Sequence, residues 1–422
     1  MKYSVITFGC RVNQADSLGF EEELRARGAT AAASPDDADV VIVNTCSVTS
    51  SADQGARQTV RRLARINPEA KVVVTGCYAT RRPDEFGGLT NVLRVVSNGD
   101  KSSVVSRLAA DLGFTTSERF GDGEGSCGAP IEPGVAGRTA FTLRVQTGCA
   151  QPCAYCIIPA TRGAPRSVPL DGILSEVDRI AHAGFKEIAL TGVHLGSYGR
   201  DLHPASSLID LLRALAARPD TRFRISSLEP MDCSREVVDL VAQHDCFAPH
   251  FHLPLQHASD RMLTAMRRPY THSYYAGLID SIRARMPTAS IGSDVIVGFP
   301  SETLADFEEL CGYLEQSSLT HLHVFPYSDR PGTAASVMSG KVHGTVIRER
   351  AARARDMGRR LAVRFRESQF GTIHRALTIE DGSLAVTGNY LKVRIPAGHV
   401  RNEWIRLKVT GAGETMRGEV VD

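Results

Sequence analysis

The sequence has no long hydrophobic run and no excess of charge of one sign. Its apolar stretches all fall short of the roughly 18 residues that suggest a membrane span, and we therefore expect no membrane partner. Lys and Arg number 49 against 47 Asp and Glu, a formal net charge of +2. So small a charge does not identify an anionic partner, and any nucleic-acid site must be a local patch.

The amino terminus also lacks the features of a secretory signal. Residues 1–10 hold one cation and a short apolar run, and Arg11 opens a polar stretch, which does not match a signal peptide. We expect a cytoplasmic, reducing location. Ten cysteines in such a protein are better interpreted as metal ligands, catalytic groups or small buried side chains than as a disulfide framework.

Length and composition indicate several folded domains. At about 150 residues per domain, a chain of 422 residues corresponds to two or three. Residues 121–139 contain six glycines and two prolines, a composition that resists regular structure. We predict a first domain at 1–120, a linker at 121–139, a central domain at 140–366 and a last domain at 367–422.

The first two domains share a pattern in which short β-rich runs alternate with helical periodicity. In the first, β-rich runs lie at 4–8, 40–44 and 71–75, with helical stretches at 14–27, 50–65 and from 81 onward. The central domain has six runs, at 141–147, 187–191, 222–227, 250–256, 291–297 and 319–326. This alternation predicts an α/β protein with an N-terminal parallel sheet and then a partial (β/α)6 barrel.

The end of the chain follows another pattern. A helical stretch from Val346 to about Arg366 is rich in arginine, which is typical of a solvated helix face. Period-two runs follow at 376–379, 384–387, 390–395 and 404–409. Because no helical crossover separates them, they predict a small C-terminal antiparallel β domain.

The densest motif is a Cys-x3-Cys-x2-Cys loop formed by Cys149, Cys153 and Cys156, directly after the run at 141–147. Three thiolates on one loop can hold three irons of a 4Fe-4S cluster and leave the fourth for a non-protein ligand. Zinc is the main competitor, but a closed structural zinc site needs a fourth protein ligand. The loop lies at the carboxyl end of a strand, where barrel enzymes place their chemistry.

A second trio consists of Cys10, Cys46 and Cys77, about one β-α unit apart. Each follows a predicted strand by one or two residues. The carboxyl ends of parallel strands share one edge, so the three thiols should converge on one crevice. This geometry suits a second cluster with one open iron, and the alternative is three small buried side chains. Four further cysteines, Cys127, Cys233, Cys246 and Cys311, lack comparable context.

With both trios in place, the chain resembles the radical S-adenosylmethionine methylthiotransferases over nearly its whole length. The cysteine loop continues as Ile157-Ile158-Pro159-Ala160-Thr161-Arg162-Gly163, which is similar to that family's extended signature. Cys10-Arg11-Val12-Asn13-Gln14 and Asn44-Thr45-Cys46 match its amino-terminal cluster domain. The terminal β domain is similar to TRAM, an RNA-binding barrel.

The resemblance implies two 4Fe-4S clusters and S-adenosylmethionine as cofactors. It implies that the open iron at Cys149, Cys153 and Cys156 chelates S-adenosylmethionine, which one electron cleaves to a 5'-deoxyadenosyl radical. Cofactor contacts are implied at the strand ends, at Thr191, Gly192, Ser227, Glu229, Gln256, Asp294, Gly298, Phe299, Pro300, Phe325 and Tyr327. Each has a simpler alternative, because a glycine is often only a turn and a polar strand end is often only solvated.

The implied chemistry explains the need for two clusters. An aromatic C–H bond that is not acidic cannot be replaced by sulfur through acid/base catalysis, so a radical is required and sulfur must lie within bonding reach. By family analogy, one S-adenosylmethionine methylates a sulfur at the cluster of Cys10, Cys46 and Cys77, and another activates carbon 2 of an adenine. The implied partners are a tRNA substrate, a reducing electron donor and a sulfur source, and we expect a monomer.

The run 190–199 is similar to the subgroup that acts on threonylcarbamoyladenosine at position 37 of tRNA, next to the anticodon. Residues 266–270 fit the same subgroup, and Arg267 and Arg268 are interpreted as phosphate contacts or as a helix-end cation pair. His194 is interpreted as a packing or loop residue. The alternatives are methylthiolation of isopentenyladenosine or of a ribosomal protein aspartate, and, from another class, a non-catalytic zinc-containing RNA-binding protein.

Two positions depart from the family's pattern, and both bear on local cofactor geometry. Gln256 is followed by His257-Ala258 where Ser-Gly is common, and Ser301 stands where glycine is commoner. In the last domain, RNA binding is indicated by five cations, for which solubility is the alternative. They are Lys392, Arg394, Arg401, Arg406 and Lys408.

Overall fold

A computed structural model describes residues 1–113, 139–413 and 415–422 of the chain. Nearly all of the predicted linker at 121–139, with Cys127, lies outside these residues, so the proposed domain limits stay a prediction. Among the helices described, none has the length and apolar character needed to cross a bilayer.

The N-terminal part is a five-stranded sheet of order β2-β1-β3-β4-β5, parallel throughout. Its strands are β1 (Lys2–Thr7), β2 (Thr30–Ala31), β3 (Val40–Thr45), β4 (Lys71–Gly76) and β5 (Val92–Val96). Its helices are α1 (Arg11–Ala26), α2 (Ser50–Ile66), α3 (Cys77–Arg81), α4 (Asp84–Gly87) and α5 (Val104–Leu112). Alternate residues of β3 pack into two separate cores, Val41 and Val43 into one and Val40 and Ile42 into the other. Helices cover both faces, which is why the central strands are continuously apolar.

The helix predicted from residue 81 onward is wrong. Helix α3 ends at Arg81, and α4 has only four residues. Pro83 lies between them, and a proline disfavours helical backbone at the residue before it. The other predicted helices of this part correspond to α1 and α2.

The central part is a partial barrel of six parallel strands in chain order, as predicted. They are β6 (Phe141–Arg144), β9 (Glu187–Thr191), β10 (Arg222–Ile225), β11 (His250–His252), β12 (Ser290–Val297) and β13 (His321–Pro326), with the short antiparallel pair β7 (Gln146–Thr147) and β8 (Arg166–Ser167). Two three-stranded sheets, β10-β9-β6 and β11-β12-β13, are joined by parallel bridges such as Ser227 to His252. The helices are α6 (Ile158–Arg162), α7 (Leu170–His182), α8 (Leu208–Ala216), α9 (Arg235–Gln243), α10 (Asp260–Ala265), α11 (His272–Arg285), α12 (Leu304–Gln316) and α13 (Gly344–Ser368).

The C-terminal part is a closed barrel of order β14-β15-β16-β18-β17. Its strands are β14 (Ile373–Ile379), β15 (Leu384–Thr387), β16 (Lys392–Arg394), β17 (Trp404–Ala412) and β18 (Met416–Val421). Inward side chains such as Val393 and Leu407 form the core. The small β-barrel is confirmed, and all of its pairings are antiparallel except β16 with β18.

A buried ion group fixes the C-terminal barrel to the central one. Glu187 on β9 accepts hydrogen bonds from Arg222 and Arg224 on β10, at 2.8 and 3.0 Å. The same guanidinium groups donate to the carbonyls of Arg375 and Gly388 in the C-terminal barrel, at 3.2 and 2.9 Å. Although burial opposes ionisation, the two arginines lower the pKa of Glu187 to about 2.

A second buried group fixes the N-terminal sheet to the barrel. Asp16 on α1 accepts a hydrogen bond from Lys101 at 2.7 Å and forms ion pairs with Arg144 on β6 and Arg162 on α6. The Asp16 side chain is 1% exposed. Separating the two partners of such a pair would leave a buried charge uncompensated. These contacts therefore hold the N-terminal sheet in a fixed position against the central barrel.

We expect Glu187→Gln to lower the free energy of unfolding by about 3–5 kcal/mol, because two buried guanidinium groups lose their counter-charge. Chemical denaturation at pH 7 measures this. The control is Asp178→Asn, which removes a half-exposed pair with Arg218 and should cost less than about 1 kcal/mol. Equal midpoints for the two variants would contradict the anchoring role.

The same interaction predicts an acid response. The pKa of Glu187 is lowered on folding from 4.5 to about 2, so its contribution is complete above pH 4.5 and is lost as pH falls through 2. The difference in stability between the protein and Glu187→Gln should therefore shrink over this window.

Candidate functional site

The loop that carries Cys149, Cys153 and Cys156 is shaped by its backbone. Gly148 has a φ of +75°, and a Cβ there would lie 2.0 Å from the carbonyl oxygen of Ala164. The Cys149 N–H donates to Gly163 O at 3.1 Å, which closes the loop around the cysteines. All three thiols are free and partly exposed. Burial raises the pKa of Cys156 to about 12, and the thiols of Cys153 and Cys149 add to the shift.

Gln146 organises the same loop from the strand before it. Its amide nitrogen donates to the carbonyls of Thr147 and Gly148 at 2.9 and 2.8 Å. Its amide oxygen accepts from the backbone N–H groups of Val193 and His194 at 3.0 and 2.9 Å. Gln146 therefore ties the cysteine loop to the loop after β9.

Arg268 supplies a positive charge directly beside the cysteines. Its Nη1 lies 3.1 Å from Cys153 Sγ, and its Nη2 forms an ion pair with Glu229. The side chain is 1% exposed. This placement contradicts the phosphate interpretation of Arg268, because a buried guanidinium that is bonded to the cysteine loop cannot reach RNA. Arg267, by contrast, is exposed.

His194 lies beside the same loop. Its Nε2 is 2.7 Å from Asp232 Oδ2, and it also contacts Cys149. Burial lowers the pKa of His194, but hydrogen bonds with Asp232 and Cys149 outweigh this and raise it to about 9. His194 is thus a charged neighbour of the cysteines as well as a loop residue.

The second trio converges at the carboxyl edge of the N-terminal sheet. Cys10 follows β1 and precedes α1, Cys46 follows β3, and Cys77 begins α3 after β4. Burial, together with the nearby Cys10 and Cys77 thiols, raises the pKa of the Cys46 thiol to about 11. Gly9 has a φ of +91°, and a Cβ there would lie 2.4 Å from Cys46 Sγ. Glycine at this position is what lets the backbone approach the sulfur.

Residues from both halves surround Cys77. Asn98 Nδ2 lies 3.6 Å from Cys77 Sγ and donates to Thr161 O at 2.9 Å. Arg162, six residues after Cys156, reaches Cys77 and donates to Asn13 Oδ1 at 2.5 Å. Burial opposes the charge of Arg162, but Cys77 and Asp16 raise its pKa. The helix that follows one cysteine trio therefore contacts the other.

A cavity of about 910 Å³ lies between the N-terminal sheet, the barrel and the C-terminal domain. Cys10 and Cys46 line one side of it. Thr191, Gly192 and Ser227 line it at the strand ends of β9 and β10, and Phe325 on β13 lines it as well. The structure thus brings four of the predicted cofactor contacts to the cavity that Cys10 and Cys46 of the second trio line.

The remaining predicted contacts lie at the barrel mouth or along its inner face. Gln256 has a φ of +64° and pairs through its backbone with β12. Gly298 has a φ of +78°, and its N–H donates to Glu302 at 2.7 Å. Phe299 is buried and packs edge-on against Tyr327 at 5.4 Å.

Asp294 is held between two histidines instead of being free. Its Oδ1 lies 2.9 Å from His252 Nε2 and 3.1 Å from His323 Nδ1. Burial raises the pKa of Asp294, but the two histidines outweigh this and lower it to about 2. The carboxylate therefore fixes two rings that line the cavity.

The structure shows the local environment of both residues that depart from the family's pattern. His257 is fully buried, accepts the Ser259 N–H at 3.0 Å, and has its pKa lowered to about 4 by burial. Ser301 adopts a φ of +67°, the left-handed region that favours glycine. Neither side chain lines the large cavity.

The distance between the thiols distinguishes a zinc site from an iron-sulfur site. Thiolates around one zinc lie roughly 3.8 Å apart, given a Zn–S distance of about 2.3 Å. Among the described residues, neither cysteine trio brings its three sulfurs within 4.8 Å of one another. The three sulfurs of each trio are therefore too far apart to bind one zinc ion together. N–H donors aimed at the sulfurs, from Arg268, Asn98 and Val48, suit anionic ligands.

Sequence reasoning missed the residues that support the cysteines. Gln146, Asn98 and Asp16 carry no motif of their own, and their roles depend on contacts between distant segments. Arg162 belongs to the quoted signature, but its contact with Cys77 follows only from the docking of two domains. Arg268 was singled out, and the wrong partner was among its interpretations.

Two family models match the chain. The uncharacterized protein family UPF0004 matches residues 2–97, and the radical SAM superfamily matches residues 143–314. Together they cover the segments that carry the two cysteine trios.

Relatives and a solved structure extend this match. The Aquifex aeolicus threonylcarbamoyladenosine tRNA methylthiotransferase MtaB is 36% identical, over 93% of this chain and 96% of its own length. The Burkholderia thailandensis tRNA-2-methylthio-N(6)-dimethylallyladenosine synthase is 32% identical, over 100% and 97%.

The radical S-adenosylmethionine methyltransferase TsrM of Kitasatospora setae shares the fold, with a TM-score of 0.57 at 15% identity. The alignment covers 80% of this chain and 74% of TsrM. With two cysteine trios on neighbouring strand ends and relatives similar over their full length, the chain belongs to the radical S-adenosylmethionine methylthiotransferase family, a group of transferases.

Proposed function

We propose that this protein attaches a methylthio group to carbon 2 of threonylcarbamoyladenosine at position 37 of tRNA, and that it holds two 4Fe-4S clusters. The family membership supports the reaction type. The substrate is supported by the run 190–199 and by relatives such as the Aquifex aeolicus protein, whose name states that substrate.

The observation that carries the proposal is the shared cavity. Its volume of about 910 Å³ is at the upper end of the range of small-molecule sites. Cys10 and Cys46 lie on one wall, and the barrel strand ends with Thr191 and Ser227 lie on another. A nucleoside bound there would contact the groups proposed to supply sulfur and the groups proposed to bind S-adenosylmethionine.

Each cofactor has a proposed set of residues. Cys149, Cys153 and Cys156 would hold the first cluster, with S-adenosylmethionine near Thr191, Gly192, Ser227, Glu229, Gln256, Asp294, Gly298, Phe325 and Tyr327. Cys10, Cys46 and Cys77 would hold the second. When bound, the first cluster and S-adenosylmethionine supply the radical chemistry and the second cluster supplies the sulfur, with an external electron donor and sulfur source.

The surrounding side chains have positioning roles in this scheme. Arg268 stabilises the Cys153 thiolate and keeps Glu229 in place through their ion pair. Arg162 does the same at Cys77 and is itself held by Asn13 and Asp16. These charges favour the anionic state of the ligands in a partly buried site.

The C-terminal barrel is the proposed tRNA contact. Lys392 and Arg394 on β16 and Arg406 and Lys408 on β17 are exposed, because alternate residues of these strands point outward. Arg401 differs, since its Nε donates to Glu380 O at 2.7 Å. The barrel adjoins the cavity through Tyr390 and Leu391, so RNA bound to these cations lies close to the site.

Iron content tests the two-cluster proposal. Anaerobic reconstitution should give about eight irons per chain, four for each cluster. Cys149→Ala should keep about four, because the second trio remains intact. Iron analysis and visible absorption measure the result, and Cys311→Ala, a buried cysteine of α12, is the control that should retain all the iron. A Cys149→Ala protein with undiminished iron would refute the assignment of the loop.

Nucleoside analysis tests the substrate. Deletion of the gene should abolish 2-methylthio-threonylcarbamoyladenosine in tRNA, as measured by mass spectrometry. Expression of the protein should restore it, and the Cys46→Ala variant should not. Loss of the 2-methylthio form of isopentenyladenosine, or of a methylthiolated ribosomal protein aspartate, would assign one of the alternative substrates instead.

Salt dependence tests the RNA surface. The double variant Lys392→Gln/Arg394→Gln should bind tRNA more weakly, with a slope of log affinity against log salt that is shallower by about one unit per lost phosphate contact. Arg62→Gln, an exposed cation of α2, is the control. Identical slopes for both variants would remove β16 from the tRNA contact.

A further inference from the structure

The large cavity is lined by cations without carboxylates. Its lining includes Arg11, Arg366 and Lys392, together with four histidines of the barrel, His250, His252, His321 and His323. No aspartate or glutamate is among the described residues that line it. Asp294, the carboxylate behind this wall, already binds His252 and His323. Such a cavity favours an anionic ligand over a neutral one.

Arg11 is the cation closest along the chain to the proposed chemistry, because it directly follows Cys10. Its Nη2 donates to the hydroxyl of Tyr390 in the C-terminal barrel at 3.1 Å. Within the part of the chain that the structure describes, no carboxylate forms an ion pair with Arg11. A guanidinium group has five N–H donors, so this contact orients it and leaves donors for a ligand.

Two of the four histidines that line the cavity favour the neutral form. Burial and the charges of Arg224 and Arg11 lower the pKa of His250, and burial lowers that of His321 to about 4. These two rings therefore serve as uncharged walls, whereas a guanidinium group is a positively charged donor. Lys392 is exposed, at a position suited to an RNA phosphate.

The proposed substrate carries a negative charge close to the carbon atom that receives the sulfur. In adenine, carbon 2 and carbon 6 flank the same ring nitrogen, so a group on N6 lies next to the atom that receives sulfur. The threonylcarbamoyl group on N6 ends in a carboxylate, whereas the isopentenyl group is an uncharged hydrocarbon. Arginine binds carboxylates through two parallel N–H donors.

We propose that Arg11 binds the carboxylate of the threonylcarbamoyl group and thereby selects this base over adenines with an uncharged N6 substituent. The inference rests on the proposed function, since it assigns a residue to the recognition of that substrate. Arg11 acts here as a specificity-determining residue beside the sulfur donor.

The experiment uses the reconstituted holoenzyme and anticodon stem-loops that differ only at position 37. One carries threonylcarbamoyladenosine, and the other carries its carboxamide, which has the same shape without the charge. The protein should prefer the carboxylate by about 10- to 100-fold in kcat/KM, as expected for a charge-assisted contact. Arg11→Gln should lose this preference by slowing only the carboxylate substrate, and Arg11→Lys should recover part of it.

Binding without reductant gives a second readout, because fluorescence anisotropy of labelled stem-loops does not depend on turnover. The preference for the carboxylate should disappear in Arg11→Gln while the iron content stays at the level of the unmodified protein. The matched control is Lys392→Gln, which should weaken both stem-loops equally.

Two results would overturn the inference. The first is a wild-type protein that acts equally well on the carboxylate and the carboxamide stem-loops. The second is an Arg11→Gln variant that loses affinity for both stem-loops in the same proportion. Failure of the proposed function would give another result, because the wild-type protein would then methylthiolate neither stem-loop.

Discussion

The convergence of parallel strand ends is the constraint on which the site depends. In the N-terminal sheet, the carboxyl ends of β1, β3 and β4 bring together three cysteines that are far apart in sequence. In the barrel, the same geometry brings the cysteine loop and the strand ends of β9 and β10 to one mouth. The trio of Cys10, Cys46 and Cys77 could not form a site on an antiparallel sheet, because alternate strands would send their loops to opposite edges.

Two groups of buried ion pairs hold the three parts of the chain in fixed positions relative to one another. Asp16 joins α1 to β6 and α6, and Glu187 joins β9 and β10 to the C-terminal barrel through Arg222 and Arg224. Apolar surfaces of equal area could slide past one another, whereas a buried charged group is stable only where its hydrogen-bond partners are in reach. The position of the N-terminal cysteine trio relative to the barrel is therefore set by the ion pairs of Asp16 as well as by packing.

Much of this arrangement could be predicted from the sequence. The alternating periodicity predicted the parallel sheet and the six barrel strands. The positions of Cys10, Cys46 and Cys77 after predicted strands indicated that their thiols converge. Local patterns could not reveal Gln146, Asn98 or the contact of Arg162 with Cys77, because each depends on how separate segments dock. The helix expected from residue 81 failed for a local reason, Pro83. The phosphate contact, one of the two interpretations of Arg268, failed because the burial of this side chain is a property of the tertiary fold.

Tyr390 connects the cavity to the last domain of the chain. It lies over Arg224 at 4.5 Å, packs against His250 at 5.1 Å and accepts the hydrogen bond of Arg11. All six cysteines of the two trios, by contrast, lie within the first 156 residues. As the polypeptide emerges from the ribosome, these six cysteines are thus synthesised long before Tyr390, which forms part of the cavity wall. The cavity is therefore closed on this side only once the last domain of the chain has been synthesised and has folded.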